Sequence, residues 1–275
     1  MTIVLHDAPH LLRLAGAVLL ALGVTACDAA ADRAPTAAGG TSDMPPVQVD
    51  QVVELVADGR NLRRQAYGDA LQACREAGFQ TRPLSEDDVA RIGTSRYRLW
   101  FSSDLEAIRR EDWDFGMADG AGAGSCLFEV TYSGTQDTWE QGRHVAVDLE
   151  SGQSSDEALE PDALARQPAE ASAASDEPGV TGPADRQVAG QPCKEWINQS
   201  LDTRQCVWSG GAPWGFHDGP EHGYKASRDF IILEQEPLGG NGTRVTTRSM
   251  SAGKAFDPAQ LAPATGNARS AEARP

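Results

Sequence analysis

The segment Val47-Gln-Val-Asp-Gln-Val-Val-Glu-Leu-Val56 opens the first part of the chain that carries aromatic residues. Its apolar residues Val49, Val52, Val53 and Val56 recur at i, i+3, i+4 and i+7, the period of an amphipathic helix. That spacing predicts a helix over 49–56, broken at Gly59. Leu62, Ala66, Ala70, Cys74 and Ala77 continue the helical spacing as far as Gly78, a C-terminal stop. Ser85, with Asp88 three residues on, opens a short helix through Ile92 that Gly93 ends. A further helix is expected over Asp104–Arg110.

Past these helices the period changes to two. Arg98-Leu99-Trp100-Phe101 reads as a short strand. Cys126, Phe128, Val130 and Tyr132 alternate with other residues, as do Val145, Val147 and Leu149, so a hairpin connected by 133–142 is expected. Phe230-Ile231-Ile232-Leu233 is a continuous apolar run, the pattern of a strand covered on both faces. Gly239-Gly240-Asn241-Gly242 then signals a turn, and Thr243–Met250 the return strand. The fold class expected is α+β, with N-terminal helices packed on a mostly antiparallel sheet.

Aromatic residues mark where a core can form. Every Trp, Phe and Tyr falls within 47–150 or 193–256. Residues 28–46, 151–192 and 257–275 have none and are rich in Ala, Pro, Gly and Ser, so they bury too little apolar surface to offset the entropy of ordering. The organisation expected is therefore a signal segment 1–26, an anchor and tether 27–46, a first folded part 47–150, a disordered acidic insertion or linker 151–192, a second folded part 193–256 and a tail 257–275. The two folded parts are read as one domain, because the second is small for a core of its own. Under this reading, deleting 151–192 leaves the fold intact.

The 275 residues carry a formal net charge of −16, and the 151–192 stretch holds eight acids against Arg166 and Arg186. Such a balance argues against a general nucleic-acid binder, since phosphates need Lys and Arg to release their counterions. A stretch of this kind reads as a solvated loop, with a lure for a basic partner as the alternative.

Leu14–Ala26 is an apolar run of 13 residues, the length of a signal h-region rather than of a membrane span. It runs into Val24-Thr25-Ala26-Cys27. This junction resembles the bacterial lipobox, which implies a diacylglyceryl group on Cys27, cleavage before it, and a chain held to the envelope membrane facing the periplasm. Val24 and Ala26 also suit ordinary signal peptidase, which would release a soluble protein. Asp28 leans towards inner-membrane retention by the enterobacterial rule, and the membrane stays open between inner and outer. Several acyl chains on one cysteine give stable anchoring. The nineteen tether residues after it span roughly 25 Å.

Setting Cys27 aside leaves Cys74, Cys126, Cys193 and Cys206. An even count in an oxidising compartment suggests two disulfides. Of the three possible connectivities, Cys74–Cys126 with Cys193–Cys206 keeps each pair inside one folded part.

The chemistry-bearing stretch is Trp208-Ser-Gly-Gly-Ala-Pro-Trp214-Gly-Phe216-His217-Asp218-Gly-Pro-Glu221-His222. Imidazoles and carboxylates suit a divalent metal. His217 and His222 are the candidate ligands, joined by Asp218 and Glu221 and by His144 as a remote third imidazole. Gly219-Pro220 forbids the helix that a H-x-x-E-H site requires. The competing readings are a polar surface loop with Trp208 and Trp214 at the core edge, and an interaction loop of Trp208, Trp214, Phe216, His217, Asp218, Glu221 and His222. Gly120-Ala-Gly-Ala-Gly124 leads into a strand and lacks the Lys of a phosphate-binding loop. There is no G-x-S-x-G elbow or C-x-x-C-H haem site, and no cofactor is expected. The function expected is a non-catalytic envelope lipoprotein that binds a protein partner, as an inhibitor, immunity or assembly factor would. A structural scaffold using the acidic stretch as spacer is the alternative, and a metal-dependent periplasmic hydrolase the second.

Overall fold

The computed structural model describes residues 43–262, apart from Gly120, Ala121, Ala123, Gln141 and Pro161. The signal-type segment, Cys27, most of the tether and the end of the tail lie outside the described residues. In chain order the elements are β1 (Val47–Ala57), β2 (Arg60–Asn61), α1 (Leu62–Glu76), β3 (Gln80–Arg82), α2 (Glu86–Arg91), β4 (Thr94–Phe101), β5 (Leu105–Met117), β6 (Ser125–Glu140) and β7 (Arg143–Asp148). There follow β8 (Ser154–Ala158), β9 (Val180–Val188), β10 (Gln191–Asn198), β11 (Thr203–Trp208), β12 (Ile232–Pro237) and β13 (Gly242–Ala252). Among the described residues no helix is long and apolar enough to cross a membrane.

One sheet takes up nearly all of this. Its strands run β8-β7-β6-β5-β4-β1-β13-β12-β11-β10-β9, each antiparallel to the next. The short β2 pairs with β1, and β3 joins β6 in parallel. The expected α+β class is thereby corrected: the protein is mostly antiparallel β, and its N-terminal element is the strand at the middle of the sheet, not a helix.

The cause lies in the first segment itself. Val47, Val49 and Gln51 are buried while Gln48 and Asp50 are half-buried, so the operative period is two. The helical spacing of Val49, Val52, Val53 and Val56 coexists with it, but β-branched valines lose rotamer freedom in a helix and fit a pleated surface. Pairing with β4 on one side and β13 on the other decides the conformation. Asp104–Arg110 is corrected likewise. It forms the start of β5, thirteen residues hydrogen-bonded to β4 and β6, which outweighs the helix propensity of Leu-Glu-Ala-Ile-Arg-Arg.

Two helices do form where expected. The Asn61 side chain caps α1 by accepting from the Arg64 amide at 2.9 Å, and Ser85 caps α2 by accepting from the Asp88 amide at 3.1 Å. Gly93, at φ +67°, ends the second turn where a Cβ would lie 2.5 Å from that of Arg63. Tyr67, Ala70, Leu71 and Cys74 of α1 pack with Ile92, Cys126 and Phe128, a satellite of the main core. Both expected disulfides are present, Cys74–Cys126 and Cys193–Cys206.

The main core follows β1, β4 and β10–β13. Val47, Val49, Leu99, Phe101, Trp208, Phe216, Ile231 and Leu233 share one cluster, while Val180, Trp196, Val207, Phe230 and Ile232 share a second. The apolar run 230–233 therefore sends alternate side chains into two clusters, as its composition implied. The register shifts at Asp50/Gln51 against β13 and at Cys206/Val207 against β12. Gln51 donates to Ile232 O at 2.6 Å and to Thr247 Oγ1 at 2.9 Å, and the Thr247 hydroxyl donates to Leu233 O at 2.6 Å. Carbonyls freed by the bulges are thus satisfied inside the core.

The acidic stretch is not a disordered insertion. It contributes β8 and β9, the two ends of the sheet, and between them a strand-free strap, 162–175. Arg166 from the strap donates to the buried carboxylate of Glu106 at 2.6 Å and lies 4.4 Å from the Phe216 ring. Ala169 N donates to Ala212 O at 2.8 Å, and Ser172 N to Asp218 Oδ1 at 2.9 Å. Few apolar residues are needed in the strap, because backbone hydrogen bonds and the buried Arg166–Glu106 pair do the ordering. Deletion of 151–192 is accordingly expected to unfold the sheet ends rather than spare the fold.

Candidate functional site

The strap pins the loop 209–231, which carries most of the residues singled out above. Trp208 is 1 % exposed, Phe216 fully buried and Asp218 2 % exposed. The Asp218 carbonyl accepts from Trp196 Nε1 at 2.7 Å. Trp214 is half-buried, stacked on Trp208 with centroids 6.4 Å apart. Four of the seven loop candidates thus belong to the packing of the loop. His217 and His222 do reach the surface, with Glu221 half-buried beside them.

The proposed metal ligands are not brought together. His217 Nε2 lies 3.5 Å from Glu221 Oε1, but Asp218 turns inward to the Ser172 amide. His144 sits on β7, 2.9 Å from Asp137 Oδ1 and stacked on Trp139 at 4.8 Å. Among the described residues no group of three or more His, Cys, Asp or Glu is placed to hold a metal ion.

Burial pushes the Glu221 carboxyl above the ordinary glutamate range, against the pull of His217, Lys225 and His222. The folded state therefore holds this proton more tightly than the unfolded chain. The resulting stabilisation is full below the unfolded value of about 4.3 and is lost as pH rises through the folded value. Glu221→Gln is expected to flatten that decline in urea titrations run across the acid range. An unchanged pH dependence would contradict the assignment.

The same loop carries Tyr224, and this residue completes a cleft that sequence reasoning missed. The cleft holds about 350 Å³ over β1, β4 and β5. Register places its groups: Gln51 lies opposite Tyr97, which lies opposite Arg110, and Val53 lies opposite Ser95, which lies opposite Asp112. Tyr224 donates from its hydroxyl to Gln51 Oε1 at 3.1 Å and meets Tyr97 edge-on at 5.2 Å. Arg110 lies 5.8 Å from the Tyr97 ring and pairs with Asp112 at 2.8 Å. Ser95 donates to the same carboxylate. Arg63, from the first turn of α1, clamps Asp114 with its Nε 2.9 Å from both oxygens. Leu55, 51 % exposed, lies at the rim.

Burial shifts the two phenols of the cleft, and Arg110 shifts with them. Burial pushes the Tyr224 hydroxyl well above the usual phenol range. Burial also raises Tyr97, with Asp112 adding to it and Arg110 opposing. Arg110 is itself held above its ordinary value: burial acts against its charge, but in the alkaline range where it titrates the Tyr97 phenolate and Asp112 outweigh that. The cleft consequently presents protonated phenol rings at physiological pH. Its signal in the sequence was the alternation Ser95-Tyr97-Leu99-Phe101, continued by Arg110, Asp112 and Asp114 once that segment is read as a strand.

No family model matches the chain, and no curated protein matches it in sequence.

Proposed function

We propose that this protein is a lipid-anchored binding module of the bacterial envelope, held through Cys27 and facing the periplasm. It recognises a protein partner without transforming it, as an inhibitor, immunity or assembly factor does. The cleft of Tyr97, Tyr224, Arg110 and Arg63 carries this reading. Tyr and Arg dominate the energetics of protein interfaces because each combines a large apolar surface with directional polar groups. Here the rings are wedged against one another, and Asp112 and Asp114 are each held by a guanidinium, so the surface is preorganised for contact. The chain enters the sheet at Val47, and Val53 in the cleft lies six residues further along β1, about 20 Å away. The contact surface therefore stands off from the tether end.

A photoreactive benzoylphenylalanine at Leu55, in cells making the full chain, is expected to give one discrete protein adduct. Lys254, beyond β13 at the tether end, serves as the control position. The adduct is expected to disappear with Arg110→Glu while the melting temperature stays within a few degrees. Equal labelling from both positions, or an adduct indifferent to Arg110→Glu, would refute the cleft as the contact surface. For the anchor, Cys27→Ser is expected to move the protein from the membrane to the soluble fraction; retention in the membrane would refute lipidation.

A further inference from the structure

The two ends of the sheet differ in how they meet solvent. An unpaired strand edge offers its N–H and C=O groups to any passing chain, and proteins block such edges with proline, bulges or charge. The β9 end is blocked twice, by Gly182-Pro183 within the strand and by a register shift against β10 at Glu195/Ile197. The β8 end has neither device. Its sequence is Ser154-Ser-Asp-Glu-Ala158, and all five residues are exposed.

The hydrogen-bond phase of the β7–β8 hairpin shows which groups are free. Asp148 N donates to Gln153 O at 2.8 Å, and Leu159 N to Gly142 O at 2.7 Å. Antiparallel pairs alternate between bonded and non-bonded. Ser155, opposite Ala146, and Glu157, opposite His144, therefore spend their backbone groups on β7. Ser154, Asp156 and Ala158 point theirs outward, where no backbone partner meets them among the described residues.

The electrostatics select the occupant. Residues 148–162 carry six acids (Asp148, Glu150, Asp156, Glu157, Glu160 and Asp162) and no Lys or Arg. The nearby Arg143 is engaged with Asp156. A second copy pairing edge to edge would set these carboxylates against each other, which is unfavourable for like charges directly opposite. We propose that β8 is a docking edge for an extended, basic segment of a partner protein, added to the sheet as one further strand. Backbone bonds from Ser154, Asp156 and Ala158 would supply affinity, and the acids selectivity for Lys and Arg. This surface is separate from the cleft, and either can fail without the other.

The test uses the full chain in detergent and two blocked, fluorescent six-residue peptides, one alternating Lys with Val and the other Glu with Val. The Lys–Val peptide is expected to bind at least tenfold more tightly, and only to the wild-type edge. Ser154→Pro and Ala158→Pro each remove an outward N–H and leave the bonds to β7, so each is expected to weaken binding at least tenfold at an unchanged melting temperature. Glu157→Lys keeps the backbone edge and is expected to narrow the preference between the peptides. Equal binding of the two peptides, or prolines without effect, would overturn the proposal. So would self-association of the wild type that the prolines abolish, since the occupant would then be a second copy.

Discussion

Glu106→Ala is expected to destabilise the protein by about 3–5 kcal/mol, the usual cost of removing one partner from a buried ion pair. The Glu106 side chain is 1 % exposed, and it serves two guanidiniums. Arg166 bonds to one carboxylate oxygen and Arg228 to the other. Arg166 lies against the rings of Phe216 and Phe101, and Arg228 against Trp139 at 5.0 Å. Without the carboxylate, both cations face aromatic surface with no counter-charge. Arg228 is partly exposed and can recover some hydration, which favours the lower part of the range. Urea unfolding at neutral pH measures the loss. A change under about 1 kcal/mol would mean that the strap does not close on β5.

Removing Cys74–Cys126 is expected to cost about 4 kcal/mol, and removing Cys193–Cys206 about 3 kcal/mol, on the chain-entropy scale for loops of these lengths. The first bond spans a sequence separation of 52 and ties α1 to the start of β6; the second spans 13 and ties β10 to β11. Paired Cys→Ala variants, melted side by side, test both the size and the order of the effects. The Cys74–Cys126 variant is also expected to free α1 before the sheet melts, seen as early loss of helical signal. Identical losses for the two pairs, or none, would contradict the loop-length argument.

The parts legible in the sequence were those with a local cause. The cap at Ser85, the stops at Gly78 and Gly93 and the turn 239–242 each act over a few residues, while the cysteine pairs, 52 and 13 residues apart, were legible from their even count and placement. The errors share a non-local cause. Val49–Val56 satisfied two periods at once, and only its neighbours β4 and β13 choose between them. Asp104–Arg110 has helical composition, but its buried Glu106 and Arg109 find partners far along the chain, at Arg166, Arg228 and Gln136. The acidic stretch lacks aromatics because it is ordered by backbone bonds, by the ion pairs of Arg166 and Arg186 and by one buried valine, Val180. The misreading of β5 also hid the cleft, since Arg110, Asp112 and Asp114 share a face only in a strand. In the loop 209–231, composition marked the right segment, but Tyr224 rather than Trp214 or His222 is its contribution to that cleft.

The ordering of 151–192 connects fold to function here. The strap holds the loop, the loop carries Tyr224, and Tyr224 completes the cleft. Amide hydrogen exchange on the full chain, resolved over peptides covering 163–175 and 180–188, tests this chain of dependence most directly. Protection is expected at Ala169, Ser172 and along β9, lost from 163–175 in Glu106→Ala together with protection around 219–224. Exchange of 163–188 within seconds in the wild type, at the rate of an unstructured chain, would contradict it.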